Sequence, residues 1–187
     1  MALIHYVTQI QFEFGAIGLL GQQCERVGIR RPLIVTDRGV RAAGIIDTVL
    51  HALGHAGPVA VYDGTPPNPN EAAVREAVGA YMKGDCDGIV AVGGGSSIDL
   101  AKGVAVCATH EGSLRSFAVI EGGLDRITSR TAPVIAVPTT AGTGSEVGRG
   151  AILILDDGRM DPERPAAVLG STRTIRKAHF NHSHSLR

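Results

Sequence analysis

The hydrophobic pattern along the chain switches repeatedly between the period of a strand and the period of a helix. Residues 4–14 (IHYVTQIQFEF) alternate apolar and polar positions, which predicts a strand with room for a turn inside the run. Residues 15–28 are helical at their centre, and Gly28 is placed to cap that helix. PLIVTD, residues 32–37, is a short apolar run ending on an acid, the pattern of a buried parallel strand. Residues 39–56 predict a helix ended by Gly57 and Pro58. VAVYDG (59–64) predicts the next strand, followed by a Pro/Asn loop, TPPNPN. Residues 70–83 form an amphipathic helix with Asn70 as its N-cap. GIVAVGGG (88–95) reads as strand then glycine loop, and residues 96–109 as helix. Residues 110–130 are polar and show no period. PVIAVPTTAGTGSEV (133–147) is strand then a second loop, and GAILIL (150–155) a last strand. Strands alternating with helices imply parallel β-α-β units, hence an α/β fold with a mostly parallel sheet and helices on both of its faces.

Composition narrows the picture. The 187 residues include 25 glycines, nearly twice the usual share of about 7%. They show no Gly-X-Y period, so the excess belongs to turns, caps or ligand loops. A formal net charge of zero argues against a whole-chain nucleic-acid binder or a polybasic membrane protein. That zero is a sum of unlike parts: residues 1–163 hold 13 basic and 18 acidic groups, and residues 164–187 hold five basic groups and no acid. No apolar run is long enough to span a membrane. The N-terminal segment, with His5 and Glu13, does not read as a signal peptide. Cys24, Cys86 and Cys107 are widely spaced and fit no disulfide or zinc framework, which suits reduced thiols in a cytoplasmic protein.

Two loops carry the candidate chemistry. Gly93-Gly94-Gly95-Ser96-Ser97 follows a buried strand and opens a helix. Unpaired N–H groups and the positive end of the helix dipole meet there, and glycines leave the backbone open to an anion. A diphosphate is the natural guest, with Ser96 and Ser97 capping the helix or donating to phosphate. A tight turn that binds nothing is the alternative. Pro138 to Glu146 repeats the arrangement after another strand and adds three threonine hydroxyls. Open parallel sheets bind ligands beyond the carboxyl ends of their strands, so two such loops favour a shared nucleotide crevice. Asp37 ends its strand where a carboxylate accepts ribose hydroxyls and repels a 2′-phosphate, unless it serves only as a helix-start residue. The adjacent Arg38 leaves NADP open beside NAD.

GGGSSIDLAK together with PTTAGTGSEV resembles the iron-containing (group III) alcohol dehydrogenase family. Asp37 and the stretch from Tyr62-Asp63-Gly64 to Pro67-Asn68-Pro69 fall in the family's order. The resemblance covers about residues 5–155 and implies a Rossmann-like nucleotide-binding domain. By that resemblance Gly94, Gly95 and Ser96 hold the cofactor diphosphate, and Asp37 faces the adenosine ribose. Asn68, Thr139, Thr140 and Thr143 line the adenine and ribose side. Asp99 lies near the nicotinamide end or holds the loop, and Lys102 is either a ligand or a loop brace. The family binds Fe2+ or another divalent metal through one Asp and three His of a C-terminal helical domain. Their Asp-x-x-x-His helix is not recognisable here, so no metal ligand and no catalytic residue is carried over.

Two groups of side chains imitate metal sites. Asp47, His51 and His55 share one helix face but read as the exposed side opposite Ile46, Val49, Leu50 and Leu53. His179, His182 and His184 cluster in a basic stretch without a visible scaffold. Residues 156–187 are therefore expected to be a basic, His-containing tail unlike the family. It is either disordered or translated out of frame, or a genuine tail for an acidic partner.

The resulting expectation is the cofactor-binding half of an NAD(P)-dependent alcohol dehydrogenase acting on a small alcohol or aldehyde. The family's full-length members are expected to be homo-oligomers. A maleylacetate-reductase-like oxidoreductase, a non-catalytic dinucleotide-binding fragment and a purely structural protein are the alternatives.

Overall fold

The computed structural model describes residues 2–5, 8–54, 58–156, 167–170 and 175–177. In chain order the elements begin with β1 (Ala2–His5) and β2 (Gln9–Phe12), the two arms of a hairpin that divides the first alternating run. A single 3-10 turn leads into α1 (Leu20–Val27), which Gly28 ends in the left-handed conformation at φ 81°. Then come β3 (Pro32–Val35), α2 (Arg38–Ala42), α3 (Ile45–Leu53) and β4 (Ala60–Tyr62). The single helix expected over 39–56 is two helices, because Gly44 takes φ 75° and breaks the ladder between them. Next are α4 (Glu71–Lys83), β5 (Gly88–Gly93) and α5 (Gly95–Cys107). Asn70 caps α4 as expected, its side chain accepting from the Ala73 N–H at 2.9 Å. Short 3-10 turns occupy much of 114–126, which explains the lack of a period there. The chain closes with β6 (Val134–Pro138), β7 (Gly150–Leu153), β8 (Ala167–Gly170) and β9 (Ile175–Lys177).

Seven of these strands form one sheet in the order β1-β2-β9-β6-β5-β3-β4. Every pairing from β2 to β4 is parallel; only the β1–β2 hairpin is antiparallel. β7 and β8 form a separate antiparallel pair. Strand alternation sorts the core into two halves. Leu33, Val35, Ile89, Ala91, Val134 and Ala136 face α4 and α5. Ile34, Val90, Val92, Ile135 and Val137 face α1 and α3. Both faces of β3, β5 and β6 are thus covered, which is why these strands read as unbroken apolar runs.

Residues 156–187, expected as a basic, His-containing tail unlike the family, include two short described strands, β8 and β9. Ile175–Lys177 occupies the slot between β2 and β6, with Val134 opposite Ile175 and Gln9 opposite Arg176. Three residues are too few to show a period, yet they suffice to pair an edge that β6 would otherwise leave open. The cluster His179, His182 and His184 lies outside the described residues, as do His55 and Gly57. Asp47 and His51 are exposed, opposite the buried Ile46, Val49 and Leu53. Among the described residues the three cysteines are free, and no helix is long and apolar enough to cross a membrane.

Candidate functional site

The order of the strands creates a crevice. From β3 the chain moves outward to β4, with α2 and α3 between them; from β4 it returns through α4 to β5 on the other side of β3. The loops after β3 and β5 therefore diverge to opposite faces, the arrangement that opens a ligand cleft at the carboxyl ends of a parallel sheet. A cleft of about 770 Å³ lies there. Asp37 and Arg38 follow β3 on one wall, Asp63 to Pro67 follow β4, Gly94, Ser96 and Ser97 follow β5, and Thr139 and Thr140 follow β6.

The wall from β5 is the start of α5. Its N-cap is Gly94, with φ −79° and ψ −168° and no side-chain cap, so the first-turn N–H groups keep no side-chain partner there. The serines expected to cap the helix are used otherwise. The Ser96 hydroxyl donates to the Pro67 carbonyl, tying the β4 and β5 loops together. The Ser97 hydroxyl donates to Asp37 Oδ2 at 3.4 Å. The glycines also serve a purpose beyond anion access. A Cβ on Gly95 would stand 3.0 Å from Ser145 Oγ and 3.2 Å from Thr143 Cβ, and one on Gly94 3.4 Å from Thr140 Oγ1. Gly93 holds φ 150°, and a Cβ there would lie 2.5 Å from Ser97 Oγ. Gly95 is thus favoured by the close approach of the β6 loop, and Gly93 by its own backbone conformation and the Ser97 side chain.

Asp37 divides its two oxygens between two tasks. Oδ1 accepts from the Val40 N–H at 2.9 Å and caps α2, while Oδ2 stands beside Ser97 at the cleft wall. The helix-start and ligand-facing readings of this residue are therefore compatible. Asp63 lines the same end and pairs with Arg41 at 2.6 Å.

Five of the nine expected site residues line the cleft: Asp37, Gly94, Ser96, Thr139 and Thr140. Gly95 sits just behind, against Thr143 and Ser145. Thr143 is exposed and donates to Glu146 Oε2 at 3.2 Å, within its own loop. Asn68 is exposed and off the lining; its neighbour Pro67 contributes instead. Asp99 is off the cleft lining and holds neighbouring chain instead, the second of its two expected roles. It is buried, with Oδ1 3.2 Å from Lys102 Nζ and Oδ2 accepting from the Ile152 N–H at 3.1 Å. The fifth position of α5 points toward β7 rather than into the cleft.

Lys102 resolves as a brace. Its side chain is fully buried, and Nζ donates to the Ser145 carbonyl at 2.7 Å and to the Gly150 carbonyl, besides its pairing with Asp99. Burial pulls its pKa below the usual lysine value, with the Asp99 carboxylate opposing the shift. Three acceptors for three N–H donors hold the loop after β6 against α5. The lining residues given no site role in the sequence are Gly39, Val40 and the run Asp63 to Pro67, of which Asp63, Gly64 and Pro67 entered only as motif residues. The Thr65 hydroxyl donates to the Thr36 carbonyl at 2.6 Å and pins the Pro/Asn loop to the end of β3.

A doubly wound parallel sheet with a cleft at its switch point defines an α/β protein of the Rossmann-like class. The chain belongs to the iron-containing alcohol dehydrogenase family, whose model matches residues 7–164. It is 62% identical over 159 residues to a 4-hydroxybutyrate dehydrogenase of Cupriavidus necator, covering 85% of this chain and 41% of that protein. It is 44% identical over 154 residues to a 1,3-propanediol dehydrogenase of Klebsiella pneumoniae, covering 80% of this chain and 38% of the relative. Among solved structures, a 1,3-propanediol oxidoreductase superposes with a TM-score of 0.76 at 36% identity, over 90% of this chain and 43% of its own. An alcohol dehydrogenase from Oenococcus oeni gives 0.75 at 30% identity, over 90% and 44%. The chain thus spans about two fifths of the length of the curated relatives it matches.

Proposed function

We propose that these residues form the dinucleotide-binding half of an NAD-dependent dehydrogenase that interconverts a small primary alcohol and its aldehyde. The observation that carries this reading is the cleft at the switch point, where an uncapped α5 N-terminus meets an acid-ended β3. The α5 N–H groups at Gly95, Ser96 and Ser97 offer the dinucleotide diphosphate an anion site. Asp37, immobilised by its cap and by Ser97, presents Oδ2 to the adenosine ribose hydroxyls and disfavours a 2′-phosphate. Thr139 and Thr140 close the opposite wall. When bound, the nicotinamide supplies the hydride acceptor or donor; the residues of this chain bind and orient it. The 62% identity to a 4-hydroxybutyrate dehydrogenase favours a short hydroxylated chain as substrate.

Among the described residues, no group of three or more His, Cys, Asp or Glu side chains could hold a metal. They do not fit the family's metal, and no step is derived through one. The test is titration of the 187-residue chain with NADH, followed by fluorescence, and then assay of short alcohols with added Fe2+ or Zn2+. Saturable binding that Asp37→Ala weakens supports the reading. No binding refutes it, and vigorous turnover by this polypeptide refutes its restriction to the cofactor half.

A further inference from the structure

We infer that Asp63 is a second determinant of cofactor choice, and that it acts by holding Arg41 away from a 2′-phosphate. The inference rests on the dinucleotide reading of the cleft and concerns the same end of it. Asp63 lines the cleft beside Asp37, because the Asp37 backbone pairs with Gly64 in an isolated bridge. Arg41 lies one turn along α2 from Asp37, its N–H bonded to the Asp37 carbonyl at 3.1 Å. Its guanidinium reaches across to Asp63 Oδ2 at 2.6 Å.

Two carboxylates therefore stand at this end, with different jobs. Asp37 is immobilised and faces the ribose. Asp63 adds a second negative charge and occupies Arg41, the guanidinium whose planar fork suits a phosphate. Arg38, which also lines the cleft, carries the second positive charge of this cluster. The cations a 2′-phosphate requires are thus present in the sequence, and Asp63 engages one of them. The Asp63–Arg41 pair carries no net charge, so removing Asp63 acts through the guanidinium it frees.

The experiment measures NADH and NADPH dissociation constants for the full chain by fluorescence titration, with Asp37→Gly as the shared background. Adding Asp63→Asn should raise the NADPH-to-NADH affinity ratio about fivefold at low salt, and less at high salt. Adding Arg41→Gln to that protein should return the ratio to the Asp37→Gly value. A thermal melt of each variant confirms folding, which this half-exposed pair does not control. Asp63→Ser repeats the measurement with a shorter side chain. A ratio unmoved by both Asp63 substitutions overturns the inference, as does a gain that survives Arg41→Gln. Failure of the unsubstituted chain to bind NADH overturns the dinucleotide reading as well. NADH binding with an unmoved ratio overturns only the role of Asp63.

Discussion

Replacing Lys102 with Met tests what holds the second loop in place. Met reproduces the length and apolar stem of lysine, so the packing of α5 against β7 and α4 survives and only the ammonium is lost. Three acceptors then lose their donor: Asp99 Oδ1, the Ser145 carbonyl and the Gly150 carbonyl. Asp99 keeps its bond from the Ile152 N–H but becomes a buried carboxylate without a counter-charge. Breaking a buried ion pair from one side costs about 3–5 kcal/mol. With a urea slope of about 2 kcal/mol/M, the unfolding midpoint should fall by about 2 M. Asp99→Asn breaks the same pair from the other side, leaving the buried Lys102 ammonium without its counter-charge and facing the amide NH2, so it should cost a similar amount. The pH dependence has a definite sign. Lys102 titrates below its unfolded value near 10.5, so between the two values this group binds more protons in the unfolded chain and its contribution to wild-type stability rises with pH. The stability gap between wild type and Lys102→Met should widen across that window, because groups common to both proteins cancel. A midpoint shift under about 0.5 M, or a gap that narrows as pH rises, would refute the brace.

Other expectations are simpler to check. Gly103→Ala places a Cβ 2.7 Å from Leu153 Cδ1 and 3.1 Å from Val74 Cγ2; overpacking should outweigh the helix gain and cost about 1 kcal/mol by denaturant titration. Asn70→Ala removes the cap of α4 and should cost about 1 kcal/mol, and Asn70→Asp should largely retain it. Burial pushes the Cys24 and Cys107 thiols up to about 12, while the unfolded thiols ionise near 9.0, so stability intact below that pH should be lost as pH rises toward 12. Cys107→Ala should flatten the loss, and midpoints constant between about pH 8.5 and 11 would count against it.

What was legible in the sequence followed from burial on two faces. β3, β5 and β6 are covered by helices on both sides, so they read as unbroken apolar runs bounded by glycine, proline or acid. The loops at their ends were legible because glycine and threonine mark tight, polar turns. Three things were not. The break at Gly44 is one residue in a left-handed conformation, inside a pattern that continues as helix on either side. β9 is too short to show a period, and its place in the sheet is fixed by long-range pairing alone. Asp99 and Lys102 carried a motif but no direction: whether a helical polar residue points to a cleft or a neighbouring strand depends on what packs around that helix.

That last ambiguity has a physical root in α5. Ser97 to Val106 are buried all the way round the helix, because the sheet, α4 and β7 enclose it. A helix so enclosed has no solvent face on which to place polar residues, so each one needs a partner inside. Ser97 finds Asp37, Asp99 finds Ile152 and Lys102, and Lys102 finds the loop carbonyls. The same enclosure fixes the helix axis and aims its open N-terminus at the cleft. The groups that face the cleft and the groups that brace are therefore two ends of one constraint. A substitution that loosens the Lys102 contacts should weaken dinucleotide affinity as well as stability, although none of its atoms lines the cleft.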